Sequence, residues 1–440
     1  MSKLLIVQPT YYRSKSDRSL YKTKKRTLTG LTLPYLAALT PRDWHVELVD
    51  EQLSDIDFDV PVDLVAITAW TINSFRAYDI AGEFRKRGVP VIMGGPHTFF
   101  HGGEAAEHCD AVGIGEGEEI WPIMLRDAAA GKLQKFYRAS APHDLKALPL
   151  PRYELLNENG FGWARTYSVQ SSRGCPFKCD FCSERFYMGT RYRFRPVQDI
   201  IDEIKHIKAK NIFFADSMFA GKKDHSMELM EALIPLKIRW VTLWTAYLCR
   251  DQEFMDLAKR SGLLHVNMGV ESISREVLAA MNKKFNKVDQ YEEIISNLNK
   301  RGISYSMNFV FGYDGETLDN LEATLAFVEQ HKVPVAYFYA LSPHKGTPLY
   351  DRLRAEQRLI DETQLDRWPG SHCEIKPTYC SASELEERIR TMYDRFYSPW
   401  SMLRRLPLPV TKARIASWVM NFSQRKMSRW DRPAKNHDWI

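Results

Sequence analysis

Short apolar runs alternate with amphipathic stretches in residues 1–135. Several of these runs are continuously apolar, which is typical of strands in a parallel sheet that is covered on both faces. The predicted strands are Leu4–Gln8, Val46–Val49, Leu64–Thr68, Val91–Gly94 and Ala111–Gly115. The predicted helices between them are Thr29–Leu39, Ile72–Arg87 and Glu118–Ala130. The pattern therefore predicts an N-terminal α/β domain with a doubly wound, Rossmann-like parallel sheet.

A second alternation of short apolar runs and amphipathic stretches begins near residue 166. The predicted strands are Tyr167–Ser171, Asn211–Ala215, Trp240–Trp244, His265–Val270, Ser304–Phe311 and Ala336–Leu341. The helix-like stretches between them are Val197–Lys208, Ser226–Leu233, Asp251–Ser261, Asp289–Lys300 and Thr317–His331. Strands that alternate with helices in this way predict βα units around a second parallel sheet.

The alternation stops near residue 350 and helical patterns follow. Glu384–Tyr397 is predicted to be a charged helix that packs on the preceding sheet, with Ser383 as its N-cap. Farther along, the apolar residues Ile415, Trp418, Val419 and Phe422 lie at helical spacing and are flanked by Lys412, Arg414, Arg425 and Lys426. Three uses of this stripe remain open: docking on the protein's own core, contact with an anionic membrane surface, and contact with a protein partner.

The length of 440 residues suggests two or three domains, and 44% hydrophobic residues are enough for packed cores. The predicted division is 1–135, a proline-containing connector 136–166, a second α/β domain 167–350, and a helical C-terminal extension 351–440. The chain contains no long apolar stretch and no readable signal peptide. We therefore expect a cytoplasmic protein.

The positive charge is concentrated at one end of the chain. The formal net charge is +6, and residues 401–440 hold nine basic and two acidic residues, a balance of +7. The rest of the chain is therefore close to neutral. A charge this small and this localised gives no reason to expect a nucleic-acid partner, whereas the basic end is compatible with peripheral contact with a membrane.

Three of the seven cysteines lie close together, in the pattern C-x3-C-x2-C formed by Cys175, Cys179 and Cys182. Three thiolates on one short loop can each bind one iron of a [4Fe-4S] cluster and leave the fourth iron open. A zinc site would ordinarily use a fourth ligand and paired C-x2-C motifs, and neither is evident nearby. Zinc and three unrelated cysteines are the alternatives.

This cysteine pattern, with Phe181 directly before the last cysteine, resembles the signature of the radical S-adenosylmethionine (SAM) enzymes. The resemblance implies a partial (β/α)6 barrel in which the loop after the first strand holds the cluster. It also implies that SAM binds the open iron and is cleaved to a 5′-deoxyadenosyl radical that abstracts a substrate hydrogen. A low-potential ferredoxin or flavodoxin would then supply the electrons.

Other strand ends of the same domain resemble SAM-binding elements of that family. The resemblance places Phe181 beside the cofactor, Asp216 near the SAM amino group, Glu271 and Ser272 near the ribose, and Gly312 near the adenine. Residues of these types also end strands and cap helices, so a purely structural role is the alternative for each of them. No residue is predicted to act on the substrate itself.

Two loops rich in glycine follow predicted strands of the N-terminal domain, and alone they are weak signals. The first contains Gly94, Gly95 and His97, and the second contains Gly115, Glu116 and Gly117. Ahead of a radical SAM core, the pair resembles the cobalamin-binding domain of class B radical SAM enzymes. The cobalt-ligating D-x-H-x-x-G motif of other cobalamin proteins is absent, which leaves open a domain that has lost the cofactor. His97 is predicted either to approach the corrin or to cap the following helix.

The resemblance implies a cobalamin-dependent methyltransferase that acts on an unactivated carbon of a natural product or lipid. Such an enzyme uses one molecule of SAM as methyl donor and another as radical source. The alternative within the family is a cyclase, rearrangement or oxidative ring-forming enzyme acting on a tetrapyrrole or hopanoid-type lipid. An alternative of another class is a non-catalytic iron–sulfur or corrinoid sensor.

Overall fold

The computed structural model describes residues 1–13, 18–363, 365, 370–405 and 410–427. By its internal contacts the chain forms two compact units. The first unit is built from Met1–Ser168, and the second begins at Val169 and takes in the C-terminal helices. The finer division into four segments stays a prediction.

The first unit is built on a six-stranded sheet in which every pairing is parallel. Its strands, in the order β3-β1-β4-β5-β6-β7, are β1 (Ser2–Gln8), β3 (Trp44–Asp50), β4 (Leu64–Thr68), β5 (Val91–Gly94), β6 (Ala111–Ile114) and β7 (Phe136–Arg138). Two further strands, β2 (Arg26–Thr29) and β8 (Phe161–Val169), pair with each other in parallel. The helices are α1 (Thr32–Leu39), α2 (Ser74–Lys86), α3 (Pro96–His108) and α4 (Gly117–Ala129).

The central strands of this sheet are buried because helices cover both faces. All five residues of β4 are buried, and α2 and α3 contact each other and the sheet. Helices α1 and α4 form the other pair. The predicted doubly wound sheet is therefore confirmed. The sequence analysis expected a helix after His97 but gave it no bounds. Helix α3 begins earlier, at Pro96, so His97 lies within its first turn and Gly95, not His97, is the N-cap residue.

The second unit contains a run of parallel strands in the order β15-β14-β13-β12-β11. They are β11 (Asn211–Phe214), β12 (Arg239–Trp244), β13 (Leu263–Glu271), β14 (Ser304–Phe311) and β15 (Val335–Ala340). The last residue of β8, Val169, accepts a backbone hydrogen bond of 2.9 Å from Ala215, just after β11. With β8, the structure has all six strands that the sequence predicts for the partial barrel.

Helices follow the strands of the second unit. A short antiparallel pair, β9 (Ser172–Arg173) and β10 (Arg193–Phe194), flanks the segment that carries Cys175, Cys179 and Cys182, which we call the cysteine loop. The helices are α5 (Glu184–Tyr187), α6 (Val197–His206), α7 (Lys223–Leu233), α8 (Gln252–Arg260), α9 (Arg275–Ala280), α10 (Tyr291–Lys300) and α11 (Leu318–Gln330). The C-terminal region adds α12 (Pro348–Ala355), α13 (Ala382–Phe396), α14 (Pro399–Arg404) and α15 (Lys412–Met427).

Helix α13 packs on α11 and on β15, the terminal strand of the sheet. The Tyr397 hydroxyl donates to the carbonyl oxygen of Ala336 at 2.7 Å and accepts from its N–H at 3.2 Å. The Tyr393 hydroxyl accepts from the N–H of Phe338 at 3.0 Å. The predicted packing of this helix is confirmed, but its N-cap is not Ser383. Ser381 caps it, since its side chain accepts from the N–H of Glu384.

Helix α15 contacts β13, β14 and β15, but not through the predicted apolar stripe. Ile415, Val419 and Phe422 are exposed, and Trp418 is half-buried. The prediction that the stripe docks on the protein's own core is therefore wrong for those three residues. The basic residues Arg429, Arg432 and Lys435 lie outside the described part of the chain. Among the described helices, we find none with the length and apolar character needed to cross a bilayer.

Candidate active site

The cysteine loop starts after β9 with a turn that requires glycine. Gly174 has a φ of +90°, a conformation that side chains rarely adopt. A Cβ at this position would also collide with the carbonyl oxygen of Arg191. The N–H of Cys175 donates to the carbonyl oxygen of Gly189 at 3.0 Å, which fixes the first cysteine. The cysteines predicted as ligands therefore lie on a loop whose first turn is fixed by contacts with the backbone of Gly189 and Arg191.

The three thiols lie in one partly buried environment and act on one another electrostatically. Burial raises the pKa of Cys175, that of Cys179 to about 11, and that of Cys182 to about 12. Thiols with raised pKa values become thiolates when a cationic centre takes the place of their protons. The three thiols are therefore protonated at neutral pH until a metal centre displaces their protons.

The zinc alternative needs side chains that converge on one point. Within the residues that the structure describes, no three His, Cys, Asp or Glu side chains are arranged to hold a single metal ion. A [4Fe-4S] cluster makes a different demand, because each thiolate binds a different iron.

Distant parts of the second unit hold the cysteine loop in place. Asp180 accepts a hydrogen bond from the hydroxyl of Tyr313, and its carbonyl oxygen accepts from the N–H of Leu349 at 3.2 Å. The side-chain amide of Asn282 donates to the carbonyl oxygen of Lys178 at 2.8 Å. These tethers come from segments that follow β13, β14 and β15. The sheet thereby fixes the position of the cysteines.

Glu271 ends β13 in a strained conformation beside a buried lysine. Its φ is +67°, and the register between β13 and β14 shifts at this point. Its carboxylate forms a salt bridge with Lys283, and both side chains are about one-tenth exposed. A Cβ on Gly269 would collide with the Glu271 carboxylate and lie 3.0 Å from Lys283 Nζ. Only glycine at position 269 leaves room for this pair.

Lys283 is a residue that the sequence analysis missed. Its Nζ lies 5.9 Å from the ring centroid of Phe181 and 5.6 Å from that of Phe285. Burial alone would lower the pKa of Lys283, but Glu271 and the thiols of Cys179 and Cys182 outweigh it, and the pKa is raised. A fixed positive charge therefore faces the cysteine loop. Its position three residues after the end of α9, the helix that follows Glu271, is the only signal in the sequence.

Ser272 is buried in the turn that leads into α9. Its hydroxyl accepts a 3.0 Å hydrogen bond from the N–H of Ser274, and Ser274 caps α9 by accepting from the N–H of Val277. Ser272 therefore shapes the segment that follows Glu271. Its contact with the SAM ribose stays a prediction.

The Asp216 carboxylate is buried and fully engaged within the protein. It accepts from the N–H groups of Ser171 at 2.7 Å and Ser172 at 3.1 Å, and from both serine hydroxyls. Burial raises its pKa, and the hydrogen bonds from the serines oppose that shift. Asp216 thus joins the end of β11 to the strand that leads to the cysteines. The predicted contact with the SAM amino group stays a prediction.

Gly312 forms a tight turn after β14, with a φ of +111°. Its N–H donates to Glu316 at 2.7 Å, and the Tyr379 hydroxyl donates to the same carboxylate at 3.0 Å. A Cβ on Gly312 would lie 3.2 Å from Leu385 and 3.4 Å from Leu341. Burial raises the pKa of Glu316 to about 7. The turn is thus packed against the C-terminal region, and its contact with adenine stays a prediction.

One face of β13 and β14 carries polar side chains in an otherwise apolar sheet. His265 bridges two hydroxyls, with Nδ1 at 2.6 Å from Ser304 Oγ and Nε2 at 3.1 Å from Ser306 Oγ. Burial lowers the pKa of His265 to about 4, so the ring is neutral at pH 7. On β15, Tyr337 and Tyr339 stack with their rings 5.9 Å apart. The sequence analysis did not single out this face, because only the pairing of the strands brings its residues together.

In the first unit, the predicted glycine loops lie at the carboxyl ends of β5 and β6. Gly95 has a φ of +101°, and a Cβ there would lie 2.8 Å from the carbonyl oxygen of Ala69. The Thr98 hydroxyl lies 2.9 Å from the Gly95 carbonyl oxygen and 2.7 Å from that of Gly113. The ends of neighbouring strands therefore hold the first loop. Trp70, after β4, is 55% exposed at this edge and was not predicted.

His97 points into the first unit and is fully buried. Its Nε2 lies 2.6 Å from the Tyr78 hydroxyl, and its Nδ1 lies 3.4 Å from Thr71 Oγ1. Tyr78 also donates to Glu104 at 3.0 Å. The ring is therefore part of a buried polar network behind the loop. Whether it meets a corrin stays a prediction.

The second glycine loop leads into α4. Gly115 has a φ of +101°, and a Cβ there would lie 2.9 Å from that of Ala139. Glu116 is the N-cap residue of α4, and its carboxylate accepts from the N–H of His143 at 2.7 Å. Gly117 is the first residue of the helix. The loop brings backbone and the helix N-terminus to the edge of the sheet where a ligand binds in such folds.

The family model of the Radical SAM superfamily matches residues 169–328, which include the cysteine loop and β11 to β14. Residues 169–328 therefore form a radical SAM domain. The domain implies a [4Fe-4S] cluster and SAM as cofactors, and the predictions of a radical SAM enzyme and of both cofactors are confirmed. A second family, a domain of unknown function (DUF4070), matches residues 347–430.

Proteins similar over most of the chain include a bacteriochlorophyllide d C-12(1)-methyltransferase of Chlorobaculum tepidum. It is 27% identical over 97% of this chain and 94% of its own. Among solved structures, the radical SAM methyltransferase TsrM of Kitasatospora setae, with cobalamin and a [4Fe-4S] cluster bound, has a TM-score of 0.67. The two sequences are 17% identical, and the structural likeness covers 98% of this chain and 99% of the TsrM chain.

The cobalamin-dependent SAM radical enzyme OxsB has a TM-score of 0.69 to this chain. The likeness covers 98% of this chain and 72% of OxsB, at 14% identity. Identities this low, for TsrM as for OxsB, establish a shared fold. The predicted architecture, with a doubly wound sheet before a radical SAM domain and helices after it, is the fold of these enzymes and is confirmed.

Proposed function

We propose that the protein is a cobalamin-dependent radical SAM methyltransferase that methylates an unactivated carbon of a natural product or lipid. The observation that carries this proposal is the match, along almost the whole chain, to a bacteriochlorophyllide d methyltransferase. A tetrapyrrole or another large, largely apolar molecule is the corresponding substrate class. A methyltransferase fits this relative better than a ring-forming enzyme or a sensor does.

The cysteine loop is the part of the proposal that concerns the radical. Cys175, Cys179 and Cys182 would hold the cluster, which together with SAM supplies a 5′-deoxyadenosyl radical when both are bound. The Glu271–Lys283 pair lies next to the loop, at the end of β13. We assign Glu271 to hold the ribose of SAM and Phe181 to pack against the cofactor. Lys283 would hold the Glu271 carboxylate in position through their salt bridge.

The glycine loops of the first unit are the part of the proposal that concerns the second cofactor. Gly94 has open space where a Cβ would lie, and Gly95 and Gly115 have positive φ angles that shape the two loops. Gly117 begins α4, and Trp70 adds an exposed aromatic ring at the end of β4. We assign these residues and Glu116 to hold cobalamin, whose chemistry is the transfer of the methyl group. Because the ring of His97 is buried against Tyr78, we give His97 the role of supporting the loop from behind.

Two external partners belong to the proposal. The radical reaction needs low-potential electrons, which we assign to a ferredoxin or flavodoxin. A largely apolar substrate partitions into lipid, so we also assign the protein to the cytoplasmic side of a membrane that it contacts peripherally. No nucleic acid is required.

The test is anaerobic reconstitution with iron, sulfide, hydroxocobalamin and SAM carrying a deuterated methyl group. We expect tightly bound corrin, formation of 5′-deoxyadenosine, and a substrate that gains the labelled methyl. A product without label, with 5′-deoxyadenosine still formed, would instead identify a ring-forming or rearranging enzyme. Bound cluster without any 5′-deoxyadenosine would identify a sensor.

A further inference from the structure

Helix α15 exposes an apolar strip to solvent along its length. Ile415, Val419 and Phe422 are spaced by four and three residues and are therefore on one side of the helix. Their exposed fractions are 46%, 56% and 52%. Single exposed apolar residues are common, but three in register on one helix are not accounted for by chance exposure.

Neighbouring segments also expose apolar side chains. Trp400 and Leu403 of α14 are 61% and 52% exposed, and Val410, just before α15, is 65% exposed. The Trp418 Nε1 of α15 donates to the carbonyl oxygen of Met402 at 3.3 Å, which joins the two helices. We call this set the C-terminal apolar patch; it consists of Trp400, Leu403, Val410, Ile415, Val419 and Phe422.

The opposite side of α15 is buried through polar groups. Asn421 donates to the carbonyl oxygen of Pro334 at 3.1 Å, and Arg414 donates to that of Asn299. Ser417 is buried between them. Turning the helix to bury its apolar strip would deprive these groups of their partners, and a buried polar group without a partner is destabilising. The exposure of the strip is therefore built into the attachment of the helix.

The charged residues within the segments that carry the patch have one sign. Arg404 lies over the ring of Trp400, 4.9 Å from its centroid, and Lys412 is exposed at the start of α15. The segments 399–405 and 410–427 contain no aspartate or glutamate. A second copy packed symmetrically on this patch would set basic side chains against basic side chains. An anionic surface is complementary to them.

We propose that the C-terminal apolar patch docks the protein on an anionic lipid bilayer. The apolar side chains enter the boundary between headgroups and acyl chains, while Arg404 and Lys412 meet lipid phosphates. Trp400 suits this depth, because its ring is apolar and its N–H is polar. The proposal concerns surface binding alone, so it holds or fails independently of the reaction that the protein catalyses.

The test is co-sedimentation of the full-length protein with vesicles of phosphatidylcholine, either pure or mixed with phosphatidylglycerol. We expect binding to the mixed vesicles that weakens with added salt. The triple variant Ile415→Gln/Val419→Gln/Phe422→Gln should bind at least about tenfold more weakly. The variant Arg404→Glu/Lys412→Glu should lose its preference for anionic lipid. Because all five side chains are exposed, thermal unfolding should be nearly unchanged.

The matched control is Ile360→Gln, since Ile360 is 45% exposed but lies outside the patch. It should bind vesicles as the wild type does. Unchanged binding of the triple variant, or no binding by the wild type, would overturn the proposal. Light scattering addresses the competing occupant: a wild-type dimer that becomes a monomer in the triple variant, without vesicle binding, would identify a second copy of the chain instead.

Discussion

The cysteine loop of the second unit and the glycine loops of the first unit are both proposed to receive a cofactor, and different kinds of contact hold them in place. The cysteine loop is held by side chains from far along the chain, such as Tyr313 and Asn282. The first glycine loop is held by the ends of adjacent strands, with the backbone of Gly95 against that of Ala69. The cysteine loop should therefore be sensitive to lost polar partners, and the glycine loops to added atoms.

The largest expected effect is that of a lost ligand in the cysteine loop. Cys179→Ala should abolish 5′-deoxyadenosine formation, because only two thiolates would remain for the cluster. Iron and sulfide content after anaerobic reconstitution measures the loss directly. Cys380→Ala is the matched control, since Cys380 is also a partly buried free thiol outside the loop, and its iron content should equal that of the wild type. Full iron content in Cys179→Ala would refute the assignment.

The next effect concerns the buried pair beside that loop. Lys283→Met leaves the Glu271 carboxylate buried without its partner, which costs about 3–5 kcal/mol of unfolding free energy. The double variant Glu271→Gln/Lys283→Met removes both charges and should recover most of that stability, as urea unfolding would report. Recovered stability with 5′-deoxyadenosine formation still absent separates the positioning role from a purely structural one. Activity equal to wild type in the double variant would contradict the proposed role.

The glycine loop should respond to a single added carbon. Gly95→Ala places a Cβ 2.8 Å from the Ala69 carbonyl oxygen at a φ of +101°, at a cost of about 2–4 kcal/mol. Corrin absorbance after gel filtration should fall along with stability. Gly82→Ala is the control, because a Cβ there meets nothing within 4 Å and alanine is the better helix former. A stable Gly95→Ala protein that keeps its corrin would show that the loop is not constrained in this way.

The turn at Gly312 combines both devices, a positive φ and the side-chain tether of Glu316. Because burial raises the pKa of Glu316 from 4.5 to about 7, the folded protein holds a proton that the unfolded chain releases. Its contribution to stability is complete below pH 4.5 and is lost as the pH rises to 7, a change of about 3 kcal/mol at most. The free energy of unfolding should decline less steeply with rising pH across this range in Glu316→Gln than in the wild type. Identical slopes of unfolding free energy against pH for the two proteins would contradict this explanation.

Much of this architecture could be predicted from the sequence, because its signals are local. The spacing of Cys175, Cys179 and Cys182 is a chemical pattern in itself, and the apolar runs located the strands that carry the site. Lys283 escaped prediction because its partner, Glu271, sits on a strained strand end that only the register shift between β13 and β14 creates. The partners of Asp216 escaped for the same reason: Ser171 and Ser172 reach it through strand pairing.

Helix α15 shows a different limit. The spacing of Ile415, Val419 and Phe422 correctly placed them on one side of a helix. Periodicity does not say which side is buried, and here the hydrogen bonds of Arg414 and Asn421 to residues more than 80 positions away decide it. Tertiary contacts override the usual burial of an apolar strip.

The hydrogen bonds that Tyr393 of α13 and Tyr397, directly after it, make with the backbone of β15 have a consequence for the edge of the sheet. A terminal strand normally offers a row of open N–H and C=O groups to any passing extended chain, and that invites aggregation. Tyr393 and Tyr397 occupy such groups on Ala336 and Phe338. These hydrogen bonds make the edge of β15 less available for pairing with a strand of another molecule, so the partial barrel can end at β15 with a protected edge.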